Sequence, residues 1–211
     1  LLLATILSAL IGPNVANFTK NIISEHLYTG SYISLAVLLI IPVFLLIFYR
    51  TDNNLKTIKN TNSNQRSYLE LLQNPIILQA IVTAAFAYSM MSFIMTATPI
   101  SMYKIHGFTL GSTSIVIQLH IIGMFLPSLI TGSLIKKYGH SAIIYSGALI
   151  YLICISLSFF DQTFINYLIA LILLGIGWNF LFIGGTSLLV LCYKDSEKFK
   201  VQGFNDVIVF S

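Results

Sequence analysis

The sequence has almost no charge. Only 9% of its 211 residues are Asp, Glu, Lys or Arg, against about 25% in an ordinary soluble domain. A water-facing surface cannot be built from so few charges, so most of the surface must face lipid. Cysteine is scarce too. Cys154 and Cys192 stand in no CxxC or metal-ligand spacing, so they read as small apolar helix residues and support no disulfide or zinc framework. There is no phosphate-binding glycine loop, no HExxH, no paired carboxylates and no nucleophile elbow. With those absent, a soluble enzyme site has nothing to rest on, and no cofactor is implied. The acidic residues Glu25, Asp52, Glu70, Asp161, Asp195, Glu197 and Asp206 are placed in loops or at the edges of apolar runs. No positively charged leader with a small-residue cleavage site precedes the first apolar run. Both ends read as cut, since the chain opens on Leu1 and stops at Ser211 inside a new apolar stretch.

What is present is apolar sequence in long pieces. The hydrophobic fraction is 56% and the mean hydropathy is +0.87. Stretches free of Asp, Glu, Lys and Arg cover 1–19, 27–49, 71–103, 105–135, 138–160 and 162–193. A spanning helix needs about 20 mostly apolar residues to cross about 30 Å of hydrocarbon. Strands of a membrane barrel would alternate apolar and polar residues, whereas runs such as Ala36 to Tyr49 are solid. Backbone inside lipid must satisfy its own hydrogen bonds, so solid runs mean helices. The expected fold is an all-α, polytopic transmembrane helix bundle. Its spans lie near 1–19, 30–49, 76–98, 112–135, 141–160 and 165–191, and a seventh begins near Phe204.

The cationic side chains sort by loop. Nine of them, Arg50, Lys56, Lys59, Arg66, Lys136, Lys137, Lys194, Lys198 and Lys200, fall in alternate connections, and only Lys20 and Lys104 fall in the others. By the positive-inside rule the basic loops face the cytoplasm. The loop 50–75 is the one long polar segment. It reads as a cytoplasmic linker between two packed halves. Ser67 and Glu70 are spaced to cap a short helix there, and Asn74-Pro75 ends it. Its aromatic content is Tyr68 alone, which argues against nucleic-acid binding.

Several polar or small residues stand inside the runs. His120 is the most costly of them. An ionisable ring at membrane depth needs a partner or water, and imidazole changes charge near physiological pH. It is therefore both a cavity candidate and the candidate for proton coupling, with a neutral ring bonded across helices as the alternative. Trp178 and Asn179 lie mid-span, away from the interface where tryptophan usually anchors. The glycines around them, including Gly184 and Gly185, suit either a cavity or close helix packing. Tyr88, Ser89, Ser92 and Thr96 form a polar stripe, with Ser92 and Thr96 as cavity candidates. Asn14 and Asn17 share a face of the first span, where Gly12 and Pro13 mark a kinked packing segment.

The run Gly132-Ser133-Leu134-Ile135-Lys136-Lys137-Tyr138-Gly139-His140 resembles the cytoplasmic loop signature of the major facilitator superfamily. That signature joins the second and third helices of each six-helix half. Gly132, Lys137 and Gly139 match it. Lys136 replaces the family's Asp, which argues against a charge-relay gating role for this copy. Gly12-Pro13, followed by Ala16, resembles the family's fifth-helix motif, from which Asn17 departs. Together the motifs put the chain in the register of helices five to ten plus the start of eleven. The resemblance then implies that 1–49 holds the last two helices of the N-terminal half, 50–75 the central cytoplasmic loop and 76–211 a truncated C-terminal half.

The function implied is a secondary active transporter, symporter or antiporter, that moves a small molecule by alternating access. The expected location is the cell membrane, as in bacteria. Its partners would be the substrate, protons, membrane lipid and the missing helices of the same chain. The alternatives are a non-transporting sensor or scaffold, or a channel. A channel would be expected to carry rings of charge or a carbonyl filter, and neither is seen. An intramembrane enzyme would need a second catalytic group beside His120.

Overall fold

The computed structural model describes residues 2–23, 28–48 and 66–211. The helices, in order, are α1 (Leu2–Thr19), α2 (Thr29–Phe48), α3 (Tyr68–Leu72), α4 (Pro75–Ile100), α5 (Leu110–Phe125), α6 (Ser128–Tyr138), α7 (His140–Leu157), α8 (Phe164–Val190) and α9 (Lys198–Phe210). No strand occurs among the described residues. Five helical segments there are long and apolar enough to cross a membrane: α2, Pro75–Ile105, Leu110–Tyr138, α7 and α8. Helix α1, with 18 residues, is near the lower limit of spanning length. The protein is a multi-pass, all-α membrane protein.

Local chemistry explains the boundaries. Ser67 Oγ accepts from Glu70 N at 3.2 Å, and Ser67 N donates to the Glu70 carboxylate at 2.6 Å, so the expected capping box starts α3. Asn74 Oδ1 accepts from Ile76 N at 3.0 Å, and Pro75 takes the first position of α4. Thr109 and Thr163 cap α5 and α8 in the same way. Gly139 adopts φ +84°, a region costly for other residues, and turns the chain from α6 into α7. Residues 50–65 of the expected linker lie outside the described residues.

Three features depart from the expected spans. Residues 112–135 were expected as one helix, but the crossing breaks between Phe125 and Ser128. Pro127 has no N–H to give and its ring crowds the preceding turn, so the ladder stops there. Beyond Pro99, α4 runs on as a π-helical turn over Ser101–Ile105, with His106 N bonded to Ser101 O at 3.0 Å. Helix α9 starts at Lys198, not near Phe204, directly after a 3₁₀ turn over Asp195–Glu197. Asp206 therefore sits inside a helix and not at the edge of one.

The described chain separates into two compact units, Leu7–Thr61 in one and Leu1–Ile6 with Asn62–Ser211 in the other. In the first, Ser31 Oγ donates to Ala16 O at 2.7 Å and ties α1 to α2. In the second, α8 is the axis, packed by α4, α5 and α7. Leu174, Trp178 and Leu181 of α8 meet Ala87 and Met91 of α4, Met124 of α5 and Tyr151 of α7 in one buried cluster.

Candidate functional site

The broken crossing holds a buried polar network within the larger unit. The break leaves carbonyls without their helical donors. Asn179, wholly buried on α8, supplies one. Its Nδ2 donates to Met124 O at 2.6 Å and to Ser128 Oγ at 2.5 Å. Its Oδ1 accepts from Thr131 Oγ1 at 2.6 Å. One asparagine thus stitches the end of α5, the start of α6 and the middle of α8 together. Interrupted backbone at membrane depth is tolerated only where it is buried in protein or lines water, and here a side chain from the next helix satisfies it.

His120 makes a second stitch between the same two helices. It too is wholly buried, and its Nδ1 lies 2.8 Å from Leu171 O. A carbonyl only accepts, so Nδ1 carries the proton. Nε2 then presents a lone pair, and it has no hydrogen-bond partner among the described residues. Close backbone approach makes both stitches feasible. A Cβ at Gly175 would lie 2.5 Å from His120 O, and one at Gly123 would lie 2.9 Å from Ile172 O. Only glycine allows such approach.

Trp178 is adjacent to Asn179 but belongs to an aromatic group. Its ring stacks on Phe182 with centroids 4.8 Å apart and planes 12° apart, and Phe125 meets it edge-on at 6.1 Å. The residue is 8% exposed and its indole N–H has no partner among the described residues. His120, Trp178 and Asn179 therefore fall within one α5–α8 contact region, as two helix stitches and one aromatic group. On α4, Ser92 is half-buried and Thr96 exposed.

Asn14 and Asn17 line one open groove on α1. Asn14 Nδ2 donates to Leu10 O at 2.7 Å, and Asn17 Oδ1 accepts from Lys20 Nζ at 2.7 Å. Pro13 lies within α1, and a Cβ at Gly12 would meet nothing within 4 Å. Gly184 and Gly185 do sit at close contacts. A Cβ there would come within 2.9 Å of Ile144 Cγ1 and of Ala80 O respectively. In the loop motif, Gly132 has open space at its Cβ position, and the Lys137 ammonium lies 5.0 Å above the Tyr138 ring.

These positions belong to a chain that matches a known family from end to end. The family model of the Major Facilitator Superfamily matches residues 1–210. The chain belongs to the Major Facilitator Superfamily. Among its relatives in that family, the Brucella anthropi protein named riboflavin transporter RfnT is 34% identical over 207 residues, which is 97% of this chain and 51% of the relative. The Bacillus subtilis MFS-type transporters YddS and YdeG are 34% and 32% identical, over 99% and 97% of this chain. The chain spans about half the length of these relatives, 51% in each case. No solved structure matches it.

The sequence reading of this superfamily member missed several residues. Ser128 and Thr131 join the Asn179 network, and the signal for them was Pro127 inside an apolar run. Arg66 and Glu197 form a bidentate ion pair at the end of the larger unit, with Nη2 to Oε2 at 2.6 Å and Nε to Oε1 at 2.9 Å. Glu197 is wholly buried, and it also accepts from the backbone N–H groups of Arg66 and Lys194 at 3.1 Å each. The Arg66 guanidinium holds this carboxyl down at about 2, well below its ordinary value, with the two N–H donors helping. The carboxylate in turn raises Arg66.

Proposed function

We propose that this chain is part of a secondary active transporter that carries a small molecule across a bacterial cell membrane by alternating access, with protons as the coupling ion. Residues 1–49 supply the last two helices of one half, 50–75 the cytoplasmic linker and 76–211 most of the other half. The basic connections face the cytoplasm, as their cationic side chains favour. The observation that carries the reading is the interrupted α5–α6 crossing, held by Asn179 from a glycine-rich helix. Discontinuous helices near the midplane are where transporters of this general kind build their sites.

The relative named a riboflavin transporter makes riboflavin the first molecule to test. The Trp178, Phe182 and Phe125 rings offer a flat ring a surface to stack on, and the free indole N–H offers it a donor. His120 is the proton-coupling group in this reading, because its buried Nε2 has an unfilled lone pair.

The complete protein in proteoliposomes tests both parts. Saturable riboflavin uptake and counterflow are expected, with uptake rising under an inward proton gradient. Counterflow separates a carrier from a channel, and its absence under all gradients would remove riboflavin as the substrate. His120→Gln is expected to flatten the pH dependence of uptake. An unchanged pH profile in that variant removes His120 from the coupling.

A further inference from the structure

The crossing that breaks at Pro127 is held unequally on its two sides. Helix α5, before the break, buries Thr113, Val116, His120, Gly123 and Met124. Helix α6, after it, buries Thr131 alone, with Leu134 and Ile135 half-buried. Leu129 and Ile130 are well exposed, as are Lys136, Lys137 and Tyr138 at its far end. One end of α6 is the break, where no side chain caps it, and the other is Gly139 with its φ of +84°. Hinges are a few residues at element ends that absorb a change of backbone angle. A short helix between two such points changes its angle easily unless something ties it.

The tie is a hydroxyl with one proton and two acceptors. Thr131 Oγ1 lies 2.6 Å from Asn179 Oδ1 and 2.8 Å from Pro127 O. Both neighbours only accept, so the hydroxyl can serve one of them fully at a time. Turning the Asn179 amide over does not help. Met124 O also only accepts, so Nδ2 must face it and Oδ1 must face Thr131. Pro127 O is already supplied by Ile130 N and Thr131 N at 2.9 Å each, whereas Asn179 Oδ1 is supplied by Thr131. The proton therefore goes to Asn179, and Pro127 O stays within reach as a second acceptor on α6's own end. When the bond to Asn179 breaks, the hydroxyl turns to Pro127 O and α6 strands no donor. Asn179 still holds Met124 O, and its Nδ2 still holds Ser128 Oγ at the break itself. Release leaves a single acceptor unfed, a deficit of the size that separates a major from a minor conformation.

We propose that α6 is a hinged segment latched to α8 by the Thr131–Asn179 hydrogen bond, and that turning the Thr131 hydroxyl onto Pro127 O releases it to swing about the break. Ser128 marks the pivot and Thr131 the latch, and one asparagine serves both. Helix α5 is the fixed part. Its bond from His120 Nδ1 to Leu171 O at 2.8 Å, and its backbone contacts at Gly123 and Gly175, do not involve α6. The far end of α6 carries Lys136 and Lys137, so the swing moves two positive charges. That the swing takes part in a transport cycle rests on the reading above; the latch itself does not.

The test uses the complete protein, made free of native cysteines, in lipid nanodiscs. Nitroxide labels are placed at Lys136→Cys on α6 and Phe199→Cys on α9, both exposed positions. Double electron–electron resonance reads the distance between them. A second pair, Ile115→Cys on α5 with Phe199→Cys, reports the fixed half, and Ile115 is also exposed. Thr131→Val keeps the side-chain shape and removes the proton. In the α6 pair it is expected to raise a second distance about tenfold relative to the first, the scale of one lost hydrogen bond. The α5 pair is expected to stay unchanged, and Thr131→Ser, which keeps the hydroxyl, to match the wild type in both. A Thr131→Val distribution identical to the wild type overturns the latch. Equal changes in both pairs overturn the hinge, because the crossing then moves as one piece. If Thr131→Val does not fold, single cysteines give a second measurement. Thr131→Cys puts a weak donor at a wholly buried position, and Thr113→Cys puts one at a buried position on α5. The first is expected to react with a water-soluble maleimide about tenfold faster than the second, and equal rates overturn the proposal. None of these readouts needs transport, so the latch can stand when uptake fails and fall when uptake succeeds.

Discussion

Helices α2 and α8 are the two most apolar long segments, and they use that apolarity in opposite ways. α2 is the more hydrophobic, yet none of its best spanning stretch is buried, while 50% of the corresponding stretch of α8 is. Leu39, Leu46 and Phe48 of α2 stand well exposed. α8 replaces such side chains with Gly175, Gly177, Gly184 and Gly185, and adds Asn179 in the middle. Hydropathy alone therefore reports suitability for lipid and does not report packing. Lipid tails are as apolar as leucine, so burying leucine against another helix gains little there. Close backbone approach and interhelical hydrogen bonds gain more.

The sharpest break in this comparison is a side chain placed where α8 has none. In Gly175→Leu the new Cβ would meet His120 O at 2.5 Å and Met124 N at 2.8 Å, both backbone atoms of α5 that cannot swing aside. The expected cost is about 3 kcal/mol or more. The complete protein should lose its monodisperse peak on size exclusion, or drop sharply in Tm. Leu39→Ala on α2 truncates an exposed side chain of a more apolar helix and should change stability by less than about 0.5 kcal/mol. Equal effects from the two substitutions would erase the distinction.

A smaller effect is expected at Asn179. Asn179→Leu keeps the branched shape and removes the donor from Met124 O and Ser128 beside the break, while Thr131 Oγ1 keeps its bond to Pro127 O at 2.8 Å. One buried group left unsatisfied costs about 1–3 kcal/mol. Asn179→Leu combined with Thr131→Val should cost less than the sum of the two single changes, because the Thr131–Asn179 hydrogen bond can be lost only once. Strict additivity, measured by thermal unfolding of all four proteins, would show that the network does not act as a unit.

Much of this organisation was legible in residue order. Solid apolar runs placed the helices, Ser67 and Glu70 announced a capping box, and the Gly132–Gly139 run with Gly12-Pro13 pointed to the superfamily. Pro127 carried the signal for the break, but proline alone does not say whether a membrane helix kinks or stops. That depends on a donor such as Asn179, 52 positions later in the sequence. Asp206 was read as an edge residue because the polar stretch Lys194–Lys200 hides the start of α9. The Arg66–Glu197 pair joins residues 131 positions apart, and no local pattern encodes a contact of that kind.

A milder, pH-dependent effect is expected just beyond α8, where packing gives way to charge. The Glu197 carboxyl titrates at about 2 in the folded protein, against an ordinary 4.5. A carboxyl whose folded value is depressed stabilises the fold at every pH above its unfolded value. That contribution fades between about 4.5 and about 2 as the pH falls through the two values. Arg66 is partly exposed, at 31% of its side chain, so solvent moderates the pair. Glu197→Gln should therefore lower Tm at neutral pH by an amount that shrinks steadily in this acid window, with the two proteins converging near its lower end. Loss of the Arg66 partner through Arg66→Gln should likewise lower Tm at neutral pH, by an amount that fades over the same acid window. The effect should remain below that of Gly175→Leu at any pH, because it removes a charge contact and leaves the α5–α8 backbone contact intact. A Tm difference between wild type and Glu197→Gln that stays constant from pH 6 to pH 3 would mean that the pair acts through shape and not through charge.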